Sequence, residues 1–271
     1  MERMFYYSMS KVEVLVACMH QSDDSLYREM NLQTDAVLAN QCDEYSYREY
    51  IQPNGDTVKL VSTSDRGVGK NRNKALMHAT GEYVMCSDQD MIYVDGYEQI
   101  VLDAFAKCPK ADIIVFNLEY LNRFTPPRKP DKKFKRVHLW NCMRYGTARV
   151  AMKKSALDKS CLSFSTLYGG GAKYSAGEDS LFIRDAFRKG LKMYTCPITI
   201  ARVKQEESSW FKGYTEKYFV DKGILIANAF PIMKMFMIRY FAYRMRNWSK
   251  EHGYKEIVKL MKKGCKEFAE M

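Results

Sequence analysis

The chain has 271 residues, of which 46% are hydrophobic, enough to bury one substantial α/β core with or without a small helical tail. Its formal net charge of +11 permits a nucleic acid, an anionic membrane or an anionic substrate as partner, and composition does not choose among them. The eight cysteines show no CxxC pair and no regular spacing, which argues against a disulfide scaffold or a zinc site and predicts thiols in a reducing compartment. No signal peptide is expected within residues 1–10, and no apolar run reaches membrane-spanning length.

The first part of the chain predicts alternating strands and helices. The β-branched run Val12–Ala17 is typical of a strand covered on both faces, and a helix is expected over Leu26–Leu32. A second buried strand is expected over Ala36–Ala39, and a turn over Tyr50–Asp56 leads into a third at Val58–Val61. Continued alternation, with a helix at 97–106 and a strand at 112–117, predicts a Rossmann-like, mostly parallel sheet flanked by helices.

A basic loop that contains glycines follows the third strand. Arg66, Lys70 and Arg72 supply positive charge, and Gly67 and Gly69 let the backbone approach an anion closely. The helix that follows places Arg72 near its positive end, where the dipole and free amides favour an anion. An exposed charged turn is the alternative reading of this loop.

Two aspartates, Asp88 and Asp90, follow the buried strand predicted over Tyr83–Cys86. If the segment stays extended, residues two apart point to the same face, so the two carboxylates would lie side by side at the carboxyl edge of the sheet. Ligands of open α/β sheets bind at that edge, and paired carboxylates suit a hard divalent cation that can bridge to a diphosphate. A solvated turn or a helix cap is the alternative.

Three segments, taken in order, resemble one family of enzymes. The segments RGVGKNRNKAL and GEYVMCSDQD are similar to the nucleotide-binding core of family 2 glycosyltransferases of the GT-A fold. The segment YGGGAKYSAGEDSLFIRDAFRKG resembles their acceptor side, and QEESSWFKG resembles the segment after their last core strand. The match covers about Val12–Gly213 and is nearest to members that assemble bacterial surface and capsular polysaccharides.

The resemblance implies a GT-A catalytic domain over residues 1–213, with a nucleotide-binding half at 12–117 and an acceptor half at 140–213, and a helical C-terminal extension over 214–271. It implies inverting transfer of a sugar from a nucleotide donor, expected to be a UDP-sugar, with Asp90 and Asp88 holding Mn²⁺ or Mg²⁺. In the family an acidic residue after the second strand contacts uracil or ribose; Asp43 is the candidate here, Gln41 its competitor, and a plain polar turn the alternative. The residues expected at the donor nucleotide are Ala17, Met19, Gln41, Asp43, Arg66, Gly67, Lys70, Arg72, Asn73 and Asp88.

The segment Tyr168–Gly190 is the second candidate centre. The spacing of Ser175 and Glu178 predicts a helix capping box, which would explain Glu178 without any catalytic role. Asp179 is not needed for that box, and at a helix start its ionised form would be stabilised, as a general base requires. The resemblance adds that the aspartate of this pair commonly deprotonates the acceptor hydroxyl, so Asp179 and Glu178 are the predicted catalytic residues. Those expected at the acceptor are Gly170, Gly171, Glu178 and Trp210.

Two features leave alternatives open. Family members often place a histidine after the last core strand as a further metal ligand, whereas this chain has Val203, Lys204 and Gln205, so a third protein ligand is not identified. Trp210 either stacks on a sugar or base or is an ordinary core residue. The proline-rich and basic segment at 125–136 is expected to be a solvated loop.

The tail from Gly223 to Lys250 contains five basic residues and no acid, and Ile232–Tyr243 is almost wholly apolar or aromatic between the charges. Such a segment either lies in a membrane interface, with arginines on anionic headgroups, or packs on the catalytic domain. We therefore expect a cytoplasmic protein, which the first interpretation would attach to the inner face of the plasma membrane. A glycan or lipid-linked glycan acceptor is expected, and no nucleic acid.

Two other functions remain open at this point. A nucleotidyltransferase that makes nucleotide sugars could share the fold and the metal, but it should carry its own glycine-rich signature near the first strand, where this chain has CMHQSDD. A non-catalytic basic binding protein would explain the charge, although it would not explain two acidic sites spaced as a donor half and an acceptor half.

Overall fold

The computed structural model describes residues 10–121, 129–204, 213–249 and 251–270. A ten-stranded sheet, with the strand order β3-β4-β2-β1-β5-β9-β7-β10-β6 and β8 paired to β10, forms the centre of the molecule. The strands are β1 Val12–Met19, β2 Asp35–Gln41, β3 Ser46–Ile51, β4 Thr57–Thr63, β5 Tyr83–Asp88, β6 Met91–Tyr93, β7 Ile113–Tyr120, β8 Lys135–Arg136, β9 Val150–Lys153 and β10 Met193–Val203. The helices are α1 Ser25–Glu29, α2 Val68–His78, α3 Tyr97–Lys107, α4 Leu139–Cys142, α5 Lys154–Ser160, α6 Glu178–Arg188, α7 Glu216–Ala229, α8 Lys234–Met245 and α9 Tyr254–Ala269, and Thr147–Arg149 is a 3-10 turn.

Each face of the sheet is covered by a separate hydrophobic cluster, because successive side chains of a strand point to opposite faces. In β1, Val14 and Val16 belong to the cluster that includes α3, whereas Leu15 belongs to the cluster that includes α2 and α6. Helices α2 and α6 therefore lie on the same face of the sheet. The predicted α/β class, with a central sheet flanked by helices, is confirmed.

Four strands, β4, β2, β1 and β5, form a parallel half-sheet. Their carboxyl ends are Thr63, Gln41, Met19 and Asp88, so these residues meet at one edge of the sheet. The register places Ala17 opposite Asp88 and Met19 opposite Gln41. The strands predicted from the apolar runs of this half are confirmed, with boundaries that differ by one or two residues.

The other half of the sheet is mixed, so the prediction of a mostly parallel sheet is wrong there. Strand β9 runs antiparallel between β5 and β7, and β10 is antiparallel to β6 and parallel to β7.

The segment Ser46–Ile51, which gave no strand prediction, forms β3 in an antiparallel hairpin with β4. It is an edge strand with mostly exposed side chains, so it lacks the buried run that marks the central strands.

Two predicted helices also have different bounds in the structure. Helix α1 is shorter than expected, because it ends at Glu29. The predicted capping box of Ser175 and Glu178 is not formed, since α6 begins at Glu178 itself. Gly177 precedes it with a φ of 133°, a backbone conformation that glycine adopts readily, and no side chain caps the helix. Glu178 is thus the first residue of α6 rather than the third.

The C-terminal helices pack on the sheet-bearing part of the chain through α7. A cluster of Tyr168, Tyr174 and Leu181 with Ile224 and Leu225 joins α7 to α6 and to the segment before it. Helices α7 and α9 approach each other closely. A Cβ atom on Gly223 would lie 2.1 Å from a backbone oxygen of α9, and one on Gly264 would lie 2.1 Å from a backbone oxygen of α7. Within the described residues, no helix is long and apolar enough to cross a membrane.

Candidate active site

The two aspartates of the first centre stand at the carboxyl edge of the parallel half-sheet. Asp88 is the last residue of β5, while Gln89 and Asp90 form a turn into β6. The argument from an extended segment therefore does not hold for Asp90, although the two carboxylates remain close enough to interact. Burial, and to a lesser degree the charge of Asp88, raises the pKa of Asp90 to about 6.

Arg72 connects this edge to the start of α6. Its side chain is 6% exposed, and its guanidinium donates to Asp88 Oδ1 at 2.9 Å through one terminal nitrogen. The other terminal nitrogen donates to Asp179 Oδ1 at 2.6 Å and to Glu178 Oε1 at 3.3 Å. Burial lowers the pKa of Arg72, but the charges of Asp179, Asp88 and Glu178 outweigh that effect and raise it well above its ordinary value. One arginine thus holds carboxylates from both predicted centres.

The positions of α2 and α6 explain how these distant residues meet. Both helices cover the same face of the sheet, and each points its first turns towards the carboxyl edge. The ring of Phe164 stacks on Phe182 of α6 with centroids 4.0 Å apart, and the Arg72 guanidinium carbon lies 5.4 Å from the Phe164 centroid. The stacked ring of Phe164 therefore packs against the Arg72 guanidinium.

Asp179 receives its donors on one oxygen only. Arg72 and the hydroxyl of Thr147 both donate to Oδ1. Among the described residues, Oδ2 has no hydrogen-bond donor, and it faces Gly146, where a Cβ atom would lie 3.2 Å away. Asp179 is 29% exposed, so solvent reaches this carboxylate. A fixed carboxylate with one free oxygen has the form that a general base needs.

Glu178 is more deeply placed than its neighbour. Burial and the charge of Asp179 raise its pKa, and Arg72 opposes that rise. Its Oε2 accepts from the Gly177 N–H at 3.1 Å. Lys222 of α7 lies within electrostatic reach: burial lowers the pKa of Lys222, while Glu178 and Asp221 counteract that effect. The C-terminal helices therefore bring the Lys222 side chain close enough to interact electrostatically with Glu178.

The start of α2 and the glycine-rich segment before α6 are in direct contact. Val68 N–H donates to the Gly170 oxygen at 2.9 Å, and a Cβ on Gly67 would lie 3.7 Å from the Gly171 oxygen. A Cβ on Gly169, which has a φ of 102°, would lie 2.8 Å from Glu178 Oε2. Gly170 and Gly171, predicted at the acceptor, thus lie against the predicted donor loop, and the close approach requires glycine at 169.

Two of the residues predicted to contact the donor nucleotide lie at the carboxyl ends of β1 and β2. Gln41 is buried, and its Oε1 accepts from the Gly67 N–H at 2.9 Å. Met19 donates its N–H to Gln89 Oε1 at 2.9 Å, and its sulfur lies 3.5 Å from Gln41 Nε2. These contacts join the ends of β1 and β2 to the α2 loop and to the turn that bears Asp90.

The remaining predicted donor residues have other partners. Arg66 forms an exposed ion pair with Asp43 and also donates to the Cys42 oxygen at 2.7 Å. Lys70 lies 3.7 Å from Asp65 at the surface. Asn73 uses its side-chain amide to hold the backbone of Phe164, donating to its oxygen at 2.8 Å and accepting from its N–H at 2.7 Å. In this structure Asn73 positions the ring beneath Arg72 rather than facing the sheet edge.

Reasoning from the sequence did not identify Thr147, Phe164 or Lys222. Thr147 lies in a single 3-10 turn, and Phe164 and Lys222 read as ordinary core and surface residues. No local pattern marks them, since each reaches the site only through packing of separate elements. Two other predictions fall outside the described residues: Trp210 at the acceptor, and Gln205 at the position of the missing metal ligand.

The chemistry of the edge fits a hard divalent cation. Asp88 and Asp90 offer oxygen ligands, and three carboxylates, those of Asp88, Glu178 and Asp179, share the single positive charge of Arg72. Within the parts of the chain that the structure describes, no group of three or more His, Cys, Asp or Glu residues is arranged to hold a metal. Two carboxylates suffice for Mg²⁺ or Mn²⁺ when phosphate and water complete the coordination.

Comparisons with known proteins agree with this architecture. Residues 38–164 match the family model described as glycosyl transferase family 2. The structure is similar to S. aureus TarS 1–349 in complex with UDP-GlcNAc, with a TM-score of 0.61 and 17% identity over 90% of this chain and 75% of that chain. The same fragment in complex with UDP has a TM-score of 0.60 and 17% identity, over 90% of this chain and 74% of that chain. A longer TarS structure has a TM-score of 0.59 and 17% identity, over 89% of this chain and 44% of that chain.

No curated protein sequence matches the chain. At 17% identity the likeness to TarS establishes the fold, and the family model adds the sequence evidence over residues 38–164. That matched range contains the α2 loop, Arg72 and both aspartates at the sheet edge. Residues 38–164 are therefore similar in sequence to glycosyltransferase family 2, and the chain has the α/β fold of the GT-A glycosyltransferases.

Proposed function

We propose that this protein transfers one sugar from a nucleotide donor, a UDP-sugar, to a hydroxyl group of a glycan or lipid-linked glycan in polysaccharide biosynthesis, with inversion at the anomeric carbon. The observation that carries the proposal is the set of ion pairs made by Arg72, which joins Asp88 at the sheet edge to Glu178 and Asp179 at the start of α6. A donor bound at the edge would thereby lie next to a carboxylate suited to activate an acceptor.

The nucleotide would lie along the carboxyl ends of β1, β2 and β5, where ligands of such sheets bind. Gln41 and Met19 line that edge, and the exposed Asp43 is the acid available to uracil or ribose. The α2 loop offers Arg66 and Lys70 as exposed positive charges for phosphates. UDP as the nucleotide is supported by the TarS complexes, which contain UDP-GlcNAc and UDP.

Asp90 and Asp88 would hold Mn²⁺ or Mg²⁺, and such a cation stabilises negative charge on a leaving diphosphate. Asp90 needs its ionised form for this role, and the neighbouring positive charge of a cation favours that form over the protonated one. Arg72 donates to Asp88 Oδ1 at 2.9 Å, so the Asp88 carboxylate is held in place before the donor arrives.

Asp179 is assigned as the general base. Arg72 and Thr147 orient its carboxylate through Oδ1, and Oδ2 is the oxygen that would take the proton of the acceptor hydroxyl. The hydroxyl oxygen would then attack the anomeric carbon as its bond to the diphosphate breaks. Glu178, more buried and bonded to the Gly177 N–H, would hold the acceptor or the helix start. We place the reaction in the cytoplasm, with the protein attached peripherally to the inner face of the plasma membrane.

A donor panel tests the proposal. The purified protein is incubated with UDP-sugars, each with added Mn²⁺, Mg²⁺ or a chelator, and release of UDP is measured with and without candidate glycan acceptors. We expect one donor to be consumed preferentially, faster with a divalent cation and faster still with acceptor. Absence of UDP release from every donor, by a protein that melts cooperatively, would contradict the proposed donor class.

A further inference from the structure

Helix α8 has an apolar and aromatic face that is largely exposed to solvent. Residues just before and within its first turn are exposed, Ile232 at 96% and Phe236 at 63%. Tyr240 and Tyr243 continue the exposed surface towards the end of the helix. Exposed aromatic and aliphatic side chains in one contiguous strip are unusual on the surface of a soluble domain and mark an interaction site.

The helical positions of these residues form a regular arrangement. Successive residues of an α-helix advance by about 100°, so Phe236, Tyr240 and Tyr243 lie along the middle of one exposed half of the helix. Arg239 and Arg246 flank this aromatic strip on one side, and Arg244 flanks it on the other. The arginine side chains lie close to the rings: the Arg246 guanidinium carbon is 3.8 Å from the Tyr243 centroid, and Arg244 donates to the Tyr240 hydroxyl at 3.1 Å.

The opposite half of α8 is fixed to the protein. Ile238 and Ala242 are fully buried in a cluster with Phe219 of α7 and Ile257 and Met261 of α9. The exposed half is therefore presented by a folded three-helix unit, and it is not the frayed end of a chain. The orientation of the strip is set before any partner binds.

The charge around the strip selects the partner. No acid occurs between residues 222 and 250, and none of Arg239, Arg244 and Arg246 forms an ion pair with a described acidic residue. A protein partner would need acids placed to match three arginines around an aromatic strip. An anionic bilayer presents negative headgroups in every direction and an apolar interior beneath them, so it satisfies both parts of the face without a specific match.

We propose that this face of α8, which we define as residues 232–246, docks on an anionic phospholipid surface, with Ile232 and Phe236 inserted below the headgroups and the arginines in contact with them. This inference rests on the peripheral location proposed above and adds the surface and the lipid class. It does not require the transfer reaction. Binding of this type depends on ionic strength, because the arginine contribution is screened by salt.

Co-sedimentation with vesicles tests the inference. The full chain is mixed with phosphatidylcholine vesicles with or without phosphatidylglycerol. Wild type is expected to bind only the anionic vesicles, and added salt should release it. Each basic residue near such a surface contributes about 1 kcal/mol, so the double variant Arg239→Gln/Arg244→Gln should bind roughly 30-fold more weakly. Ile232→Ser/Phe236→Ser should also lose binding, on the order of tenfold or more.

Matched substitutions elsewhere control for charge and hydrophobicity. Lys110→Gln/Lys132→Gln removes the same charge from other exposed positions, and Ile51→Ser/Met77→Ser removes exposed apolar side chains from other elements. Both controls should bind vesicles like wild type, and all variants should keep the wild-type melting temperature.

Three results would overturn the inference: no binding of wild type to anionic vesicles, binding that the α8 variants do not weaken, or a dimer of the wild type that the α8 variants abolish, which would assign the face to a second copy. UDP release from the donor without vesicles is measured in parallel. If the wild type releases no UDP, the proposed function is contradicted, but the result of the vesicle experiment still stands. Failure of the proposed function and failure of the lipid inference are therefore distinguishable.

Discussion

Replacing Arg72 with lysine is expected to lower the transfer rate much more than it lowers stability. The guanidinium of Arg72 contacts Asp88 at 2.9 Å through one nitrogen and Asp179 at 2.6 Å through another, so its fork spans the two centres. A lysine keeps the charge, but its single ammonium group is compact and cannot reproduce this bidentate arrangement. The ammonium would contact either Asp88 or Asp179, and the carboxylate that it does not contact would be free to move.

The expected magnitudes follow from the exposure of the partners. A hydrogen bond to a charged group contributes about 1.5–3 kcal/mol when it is buried. Asp88 is 43% exposed, so water replaces part of the lost bond. We expect a net loss of about 1–2 kcal/mol, equivalent to a decrease in Tm of about 2–8 °C. Misplacement of a catalytic group by about 1 Å costs on the order of 100-fold in rate, which is the decrease we expect in transfer.

Arg184→Lys provides the matched control, because Arg184 is also a buried arginine of the same protein. It donates to the Asn228 oxygen at 2.6 Å and to Asp185 at 2.7 Å, and none of its described hydrogen bonds or ion pairs involves a residue of the candidate active site. Its lysine variant should lose a similar amount of stability and transfer sugar at nearly the wild-type rate. If Arg72→Lys retains more than about a third of the wild-type rate while its Tm falls like that of the control, Arg72 has only a structural role.

Three further substitutions test separate parts of the account. Asp90→Ala should abolish Mn²⁺-dependent UDP binding in calorimetry, because a methyl group cannot replace a ligand oxygen; an unchanged metal-dependent affinity would remove Asp90 as a ligand. Gly146→Ala should lower the transfer rate about tenfold at unchanged Tm, because the new Cβ would lie 3.2 Å from Asp179 Oδ2; a wild-type rate would argue against an acceptor at that oxygen. Gly223→Ala should lower Tm by several degrees, because its Cβ would lie 2.1 Å from a backbone oxygen of α9. Gly253→Ala, which would meet nothing within 4 Å, should leave Tm unchanged in the same melting experiment.

The donor half was predictable because its strands are buried on both faces. Runs such as Val12–Ala17 and Tyr83–Cys86 carry a continuous apolar signal, and parallel pairing then brings their carboxyl ends to one edge. The position of Asp88 followed from that rule alone. The position of Asp90 did not, since the chain turns immediately after β5 and the extended geometry assumed for it ends there.

Strand β9 and the start of α6 were not predictable from local sequence pattern. Strand β9 has only four residues and is identified by its partners β5 and β7 rather than by its own sequence. The SAGE sequence does fit a capping box, but packing of Gly177 against Leu225 of α7 accompanies a later helix start. A local propensity lost to a tertiary contact in this case.

The ion pairs of Arg72 were even less predictable from the sequence. Arg72 was predicted to bind a phosphate because of its place near a helix start, and Asp179 was predicted to be a base. That the two side chains contact each other, across 107 positions in the chain, depends on α2 and α6 sharing one face of the sheet. A hydrophobic pattern gives the face of a helix but not which other helix shares it.

The most direct test of the proposed mechanism is the transfer rate of Asp179→Asn beside that of Glu178→Gln, with melting temperature and UDP affinity measured for both. Asparagine keeps the size of the side chain but cannot take the acceptor's proton, and loss of a general base typically costs about 10²- to 10⁴-fold in rate. We predict a loss of that order for Asp179→Asn, with UDP binding retained, and a smaller loss for Glu178→Gln. Transfer by Asp179→Asn at nearly the wild-type rate and an unchanged Tm would contradict the assignment of Asp179 as the base.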